Sequence, residues 1–190
     1  MKLKPEIVDN ILDSAELLFN EQGYRAISLD LVANRAGVSK RTLYKYFSDK
    51  NGLVCKVLLR RDAFFRESLT NVVAVFSDKI DKINAIISWY IRWFHSDNFH
   101  GCMFVRAQAE YQNKNEEICT IAREHKYWIQ TTIQECLGKT QSCEEVSHFI
   151  MLALEGMISY TSLFGTENHN FAHDKKYIFD LINNIDAINT

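Results

Sequence analysis

The sequence predicts an all-α protein with two helical domains. The 190 residues contain one proline and seven glycines, so the residue types that interrupt helices are scarce. Apolar residues recur at intervals of three and four positions along much of the chain, which is the spacing of one helix face. Hydrophobic residues make up 47% of the sequence, enough to fill sizeable cores. Together these observations indicate packed helices.

The first fifty residues are predicted to form three helices. The first begins near Pro5, a residue tolerated in a first helical turn, and ends at Gly23. Ser28 can cap the second helix through its side-chain oxygen, and Gly37 can close that helix. Ser39 can then cap a third helix directly after the turn. Two helices joined by so short a turn form a helix-turn-helix.

The third helix presents a basic outer surface. Leu43 and Phe47 lie one turn apart and can anchor one face in a core. The other positions carry three cations, a hydroxyl and two phenols, and are Lys40, Arg41, Thr42, Tyr44, Lys45 and Tyr46. Lysine and arginine neutralise DNA phosphates, and arginine can pair with guanine in the major groove. A solvated surface helix would carry similar residues, but the glycine turn and the cap before it favour DNA recognition.

Charge is distributed unevenly along the chain. The overall formal net charge is −2. Residues 1–61 contain 11 Lys and Arg against 7 Asp and Glu, a net charge of +4, whereas residues 62–190 contain 11 against 17, a net charge of −6. The basic part of the chain is therefore the part with the helix-turn-helix, as expected for contact with nucleic acid.

The segment from Ile7 to Leu53 resembles the DNA-binding domain of the TetR family of bacterial transcriptional regulators. Two uninterrupted pieces carry the resemblance, ILDSAELLFNEQGYRAISLDLVANRAGVSK and RTLYKYFSDKNGL. They reproduce the family's order of helix, Gly-Tyr, capped helix, AGVSK turn, TLYxYF recognition helix and SDK start of helix four. The resemblance implies a DNA-binding domain at residues 1–50 and a helical effector-binding and dimerisation domain at residues 51–190. The composition, with five cysteines and no CxxC pair, predicts a cytoplasmic protein.

The expected DNA contacts combine this resemblance with the chemistry of the third helix. In the family, the residues at the positions of Ser28 and Lys50 touch phosphates, and the start of a helix is a natural phosphate seat. Contacts to bases or groove edges are expected from Arg41, Thr42, Tyr44 and Lys45. Phosphate contacts are expected from Ser28, Lys40, Tyr46 and Lys50, and Ser39 is included because it begins the recognition helix.

The second domain is predicted to bind a small, apolar or aromatic effector. A fourth helix, from about 49 to 71 and capped by Ser48, links the two domains. Residues that could line an apolar cavity with a few polar anchors are Trp89, Trp93, Phe94, Met103, Arg106, Gln108, Tyr111, Tyr127 and Trp128. Aromatic residues at helical spacing are more often ordinary core residues, and Arg106 could pair with Glu110 instead of an anionic effector.

The last two helices are predicted to form a homodimer. They extend over about 143–164, with Ser142 and Glu145 at capping-box spacing, and about 174–188. The segment 146–164 carries one charge, Glu155, yet its polar residues argue against a membrane span. The family dimerises through such a four-helix bundle, which brings two recognition helices to a near-palindromic operator.

The sequence contains weaker signals for metal binding and thiol redox chemistry. His95 with His100, or His169 with His173, could join a cysteine such as Cys102 at a metal, but neither spacing is that of a zinc motif. Five cysteines without a CxxC pair predict free thiols, and one of them could act as a redox switch. No catalytic motif is present and no cofactor is expected, although an all-helical enzyme is a further alternative. The sequence is thus interpreted as a ligand-responsive, homodimeric transcriptional repressor.

Overall fold

The computed structural model of the chain describes residues 5–188, with side chains described as far as residue 184. Within this range the chain forms α-helices, one short 3₁₀ turn and no strand, which confirms the predicted all-α fold class. The helices are α1 (Pro5–Gln22), α2 (Leu29–Arg35), α3 (Lys40–Tyr46), α4 (Lys50–Ala74), α5 (Lys79–Phe94), α6 (Met103–Tyr111), α7 (Glu116–Leu137), α8 (Gln141–Phe164) and α9 (Phe171–Ile188). The predicted domain ends at residues 1 and 190 lie outside the described residues.

The chain divides into two compact units. The first contains the residues up to Phe64 together with Cys102–His125, and the second contains Phe65–Gly101 together with the residues from Lys126 onward. The division falls inside α4 and inside α7. The functional boundary predicted at residue 50 stays a prediction, and the first compact unit extends well beyond it.

The first unit has one continuous core. Ile11 and Phe19 of α1 and Leu43 of α3 are completely buried. Ala107 of α6 and Ile118 of α7 are equally buried in the same cluster. Burying each of the larger side chains contributes about 1.5–3 kcal/mol. The helix-turn-helix is therefore stabilised by two helices that follow it much later in the sequence.

The second unit is built on α5, α8 and α9, which pack against one another. Ile83, Leu154 and Ile182 are completely buried in it. The last helix begins at Phe171, one turn before the predicted start at Asp174.

Helix α8 is apolar on more than its buried face. Ile150 and Leu154 point into the unit, and Glu155 forms an ion pair of 2.6 Å with Lys126. Along the opposite side, large apolar residues stay exposed. Among the described residues, no helix combines the length and apolar character needed to cross a bilayer.

The predicted helix caps Ser28 and Ser39 are confirmed, and Asn115 caps a third helix in the same way. Ser28, Ser39 and Asn115 each accept a hydrogen bond from the backbone N–H three residues further on, at 3.2, 3.0 and 3.1 Å. Such caps satisfy N–H groups that have no partner inside the helix. The starts of α2, α3 and α7 therefore follow from local side-chain chemistry.

Two predicted caps are wrong by one or two positions. Asp49, instead of Ser48, accepts the N–H of the residue three positions on at the start of α4, at 2.8 Å. Thr140, instead of Ser142, does so at the start of α8, at 3.2 Å. In both places two capping residue types stand close together, so the sequence alone does not show which of them is used.

Candidate nucleic-acid interface and effector region

The outer face of α3 is exposed and chemically suited to DNA. Leu43 and Phe47 anchor the helix in the core. Arg41 and Lys45 lie in solvent, and the Tyr44 ring is 52% exposed. A phenol ring that far out of the core contributes little to folding, so its exposure is consistent with a binding role.

The start of α3 is held by a compact hydroxyl network. Ser39 accepts the backbone N–H of Thr42 at 3.0 Å, and the two hydroxyl oxygens lie 2.8 Å apart. These hydrogen bonds fix the first turn of α3. Both predicted contact residues consequently already have a structural role in the free protein.

Two of the predicted cations at this surface have partners. The Lys40 ammonium forms an exposed ion pair with Asp30 of α2. The Lys45 ammonium lies 5.5 Å from the centre of the Tyr46 ring, within the range of a cation–π contact. Such exposed contacts contribute about 1 kcal/mol or less, so a DNA phosphate can replace them.

Lys50 lies at the start of α4, close to the turn between α1 and α2. Its ammonium donates a hydrogen bond to the Arg25 carbonyl at 3.3 Å. Burial lowers the pKa of Lys50, and the nearby Glu110 carboxylate acts in the opposite direction. The bare N–H groups and positive dipole of a helix start add to this charge. Lys50 therefore brings a positive charge to the start of α4, beside the turn between α1 and α2.

The nine predicted effector residues divide between the two units. Met103, Arg106, Gln108 and Tyr111 lie in the first unit, whereas Trp89, Trp93, Phe94, Tyr127 and Trp128 lie in the second.

The four residues in the first unit are mostly engaged by their own unit. The Arg106 guanidinium donates to the carbonyls of Phe19 and Asn20, at 3.3 and 2.7 Å, at the end of α1. The Met103 carbonyl accepts the Tyr24 hydroxyl at 2.9 Å. A cation at the carboxyl end of a helix also interacts favourably with the helix dipole. Arg106 thus stabilises α1 from α6.

Gln108 and Tyr111 differ from this pattern. Within the described part of the chain, the buried side-chain oxygen of Gln108 accepts no hydrogen bond. The Tyr111 ring meets the Tyr24 ring edge-on with centroids 5.8 Å apart. Burial, together with the charge of Glu110, raises the pKa of Tyr111 to about 12.

Three of the five residues in the second unit belong to an aromatic cluster. The rings of Trp89 and Trp93 lie 4.8 and 5.3 Å from the Phe65 ring, and Trp93 is 5.7 Å from Phe94. The other two stand apart from these ring contacts. Trp128 lies under the Arg66 guanidinium at 4.8 Å, and Tyr127 is 68% exposed.

A groove of about 710 Å³ lies between α8 and α9. Its walls include Phe149, Tyr160 and Tyr177, and none of the predicted effector residues lines it. The His169 ring lies at one edge, held between the Thr161 hydroxyl at 2.6 Å and the Asp174 carboxylate at 2.5 Å. Sequence reasoning did not identify this groove, because its two walls come from helices separated by a turn.

The histidine and cysteine side chains bear on the alternatives of metal and thiol chemistry. Across residues 5–188, no three His, Cys, Asp or Glu side chains are grouped as a metal would require. All five cysteines are free, and four of them are buried. Burial raises the pKa of the Cys55 thiol to about 11, and the Glu117 carboxylate adds to the effect. A thiol that is protonated at neutral pH is a poor nucleophile.

The sequence is similar to those of known bacterial transcriptional regulators. The sequence profile of the bacterial regulatory proteins of the tetR family matches residues 11–57, which contain α2, α3 and the start of α4. The chain is 24% identical to IcaR of Staphylococcus aureus, the negative transcriptional regulator of the biofilm operon icaADBC, over 92% of this chain and 96% of IcaR. It is 30% identical to the transcriptional activator FasR of Mycolicibacterium smegmatis over 46% of this chain and 40% of FasR.

Solved structures share the fold over almost the whole chain. A TetR-family transcriptional regulator from Streptomyces coelicolor superposes with a TM-score of 0.83 at 21% identity, covering 95% of this chain and 94% of its own. A TetR transcriptional regulator from Chloroflexus aurantiacus gives a TM-score of 0.83 at 17% identity, covering 94% and 95%. The fold similarity therefore extends beyond the helix-turn-helix to the second unit.

Proposed function

Because the chain belongs to the TetR family of DNA-binding transcriptional regulators, we propose that it is a homodimeric repressor of a near-palindromic operator. The observation that carries the proposal is the outer face of α3, where Arg41, Tyr44 and Lys45 are exposed on a helix anchored by its opposite face. Repression follows the name of IcaR, which matches nearly the whole chain, whereas FasR matches less than half of it.

The contacts to DNA are divided by chemistry. Arg41, Thr42, Tyr44 and Lys45 lie on α3 and read base edges in the major groove, where arginine pairs best with guanine. The remaining residues hold the phosphates on either side of the groove; these are Ser28, Ser39, Lys40, Tyr46 and Lys50. Phosphate contacts set position and affinity, and base contacts set sequence preference.

The dimer forms through α8 and α9. The outer face of α8 exposes large apolar residues over several turns, with Leu152 at 56% and Leu163 at 74% exposure. Gly156 lies near the middle of this face. Apart from its chain neighbours and the backbone of its own helix, no heavy atom of the described residues lies within 4 Å of the place where its Cβ would be. A second copy of α8 can therefore approach closely there, and a two-fold axis makes the two faces equivalent.

The effector is an apolar or aromatic small molecule that binds beside the aromatic cluster of the second unit. Trp89, Trp93 and Phe94 offer stacking surfaces, and Trp128 and Tyr127 extend the aromatic character along α7. Effector binding lowers the affinity for DNA because the effector stabilises a conformation whose two recognition helices no longer match the operator. The protein acts in the cytoplasm, where free thiols stay reduced.

Selection from a random duplex pool tests the proposal. The purified protein is mixed with the pool at near-physiological salt, and the bound sequences are amplified and read. We expect enrichment of an inverted repeat, because two equivalent recognition helices require two equivalent half-sites. Failure to bind any duplex at low salt, with folded protein in hand, contradicts the proposal. The selected duplex then serves to screen aromatic compounds for release.

A further inference from the structure

We propose that Glu110 is a positioning residue for DNA binding, which holds the turn between α1 and α2 and through it the phosphate-binding Lys50. Glu110 lies on α6, far in sequence from the helix-turn-helix, and is not one of the proposed DNA contacts. The inference rests on the proposed function, since it assigns Glu110 a part in the DNA affinity of this chain.

The Glu110 carboxylate is fully engaged by the backbone of the turn. One oxygen accepts the N–H of Tyr24 at 3.1 Å, and the other accepts the N–H of Arg25 at 2.7 Å. The Arg25 guanidinium returns a hydrogen bond to the Glu110 carbonyl at 3.0 Å. Hydrogen bonds to an ionised carboxylate are about twice as strong as neutral ones. The turn is thereby fixed to α6 by three contacts.

Gly23 makes room for this carboxylate. Its φ of +81° is a backbone conformation that favours glycine, and a Cβ there would lie 2.8 Å from a Glu110 carboxylate oxygen. The Gly-Tyr pair that ends the first helix therefore serves two purposes, since it turns the chain and admits the acidic side chain.

Lys50 binds the other side of Arg25. Its ammonium donates to the Arg25 carbonyl at 3.3 Å, while the Arg25 N–H is held by Glu110. A partly buried lysine whose ammonium is already oriented loses less conformational freedom when it binds a phosphate. Movement of α6 that withdraws Glu110 would free the Arg25 peptide and remove this preorganisation.

The attachment of α6 does not depend on Glu110 alone. Arg106 holds the carbonyls at the end of α1, and the Tyr24 hydroxyl binds the Met103 carbonyl. Ala107 is completely buried in the core of the first unit. Changes at Glu110 are thus expected to leave the fold intact while loosening the turn.

Simple electrostatics and positioning predict opposite results for Glu110→Gln. Removal of a negative charge near the DNA raises affinity if the carboxylate only repels phosphates. Loss of positioning lowers affinity, because one of the two accepting oxygens becomes an NH2 group, which cannot accept an N–H. Glu110→Asp separates the two effects further, since it keeps the charge but draws the carboxylate back by one methylene.

The test measures binding to a random-sequence duplex by fluorescence anisotropy at several salt concentrations. Such a duplex suffices because a phosphate contact does not depend on the bases. The set comprises the wild type, Glu110→Gln, Glu110→Asp, Lys50→Ala and the double variant Glu110→Gln/Lys50→Ala. Glu124→Gln is the matched control, an exposed glutamate on α7 in the same unit. Circular dichroism melting checks that each variant is folded, and Glu110→Asp carries the test if Glu110→Gln is not.

We expect both Glu110 variants to bind roughly tenfold more weakly than the wild type, the size of one lost charge-assisted hydrogen bond. In the Lys50→Ala background, Glu110→Gln should have little further effect, because the two residues act through one contact. Equal or tighter binding by folded Glu110 variants overturns the inference, as does an equal loss with and without Lys50. A wild type that binds no duplex contradicts the proposed function itself, which is a distinguishable result.

Discussion

The outer faces of α3 and α8 are both exposed, yet they are suited to different partners. Each belongs to a helix with a hydroxyl cap, Ser39 in one case and Thr140 in the other. The face of α3 carries charged and phenolic groups, whereas that of α8 carries leucine, phenylalanine and tyrosine at similar exposure. Exposure alone therefore does not identify a binding surface, and the chemistry of the exposed groups identifies its partner.

The difference has a physical consequence for how each surface binds. Cations on α3 exchange their counterions for DNA phosphates, so their affinity falls steeply with salt. Apolar groups on α8 gain by leaving water, at about 25 cal/mol per Å² of buried apolar surface, with little dependence on salt. A rise in salt from 50 to 200 mM should therefore weaken DNA binding strongly and leave the proposed dimer intact.

Charge placed on the α8 face should give the largest effect. Leu152→Glu combined with Leu163→Glu buries two carboxylates in the proposed interface, so we expect a monomer by size-exclusion chromatography with light scattering. Affinity for an inverted repeat should fall on the order of a hundredfold or more, because the second recognition helix is no longer tethered. Val75→Glu, which alters an exposed residue outside this face, is the control. If the double variant stays dimeric, the dimer interface does not lie on this face of α8.

Truncation of a base-reading residue should give the next largest effect. Arg41→Ala should cost about 1–3 kcal/mol in binding to the selected operator and relax base preference at one position of each half-site. The measurement is anisotropy with the operator and with single-base variants of it. Arg92→Ala removes an exposed arginine of the second unit and should have no effect. If both variants bind alike, Arg41 is not a base contact.

Removal of a phosphate contact should change salt dependence more than specificity. Lys50→Ala should weaken binding to specific and random duplexes to the same extent, and lower the slope of log affinity against log salt by about one. Lys56→Ala, which removes an exposed lysine of the same helix, is the control. An unchanged slope for Lys50→Ala would mean that Lys50 does not contact a DNA phosphate.

The two helix caps should give the smallest effects and separate the two faces once more. Ser39→Ala and Thr140→Ala should each lower the free energy of unfolding by about 1 kcal/mol, as measured by urea denaturation. Only Ser39→Ala should also lower DNA affinity, since Ser39 begins α3. Equal DNA affinity for the two variants would leave Ser39 with a purely structural role.

Local chemistry explains what could be predicted from the sequence. The caps at Ser28, Ser39 and Asn115 and the anchors Leu43 and Phe47 depend on residues within one or two turns. Their spacing is visible in the sequence, and so the helix-turn-helix could be identified. The all-α class and the resemblance to the TetR family followed from the same signals.

Contacts over long sequence distances could not be predicted in this way. Glu110 binds the N–H of Tyr24 across 86 positions, and backbone donors leave no mark in a sequence. The bonds from the Arg106 guanidinium to carbonyls of α1 likewise join positions far apart in the sequence. Residues of α6 and α7 complete the core of the first unit. The sequence does not show this either, because burial depends on the tertiary fold. The positions of these side chains required the structure.

The spacing of the two half-sites gives the most direct test of the account, in which one dimer presents two recognition helices to one face of the duplex. The selected inverted repeat is compared with a single half-site and with a duplex in which about 5 base pairs separate the half-sites further, roughly half a helical turn. We predict that both altered duplexes bind far more weakly than the original, because only one recognition helix reaches its half-site in each. Equal affinity for all three duplexes would contradict the account, since it would mean that each protomer binds DNA independently.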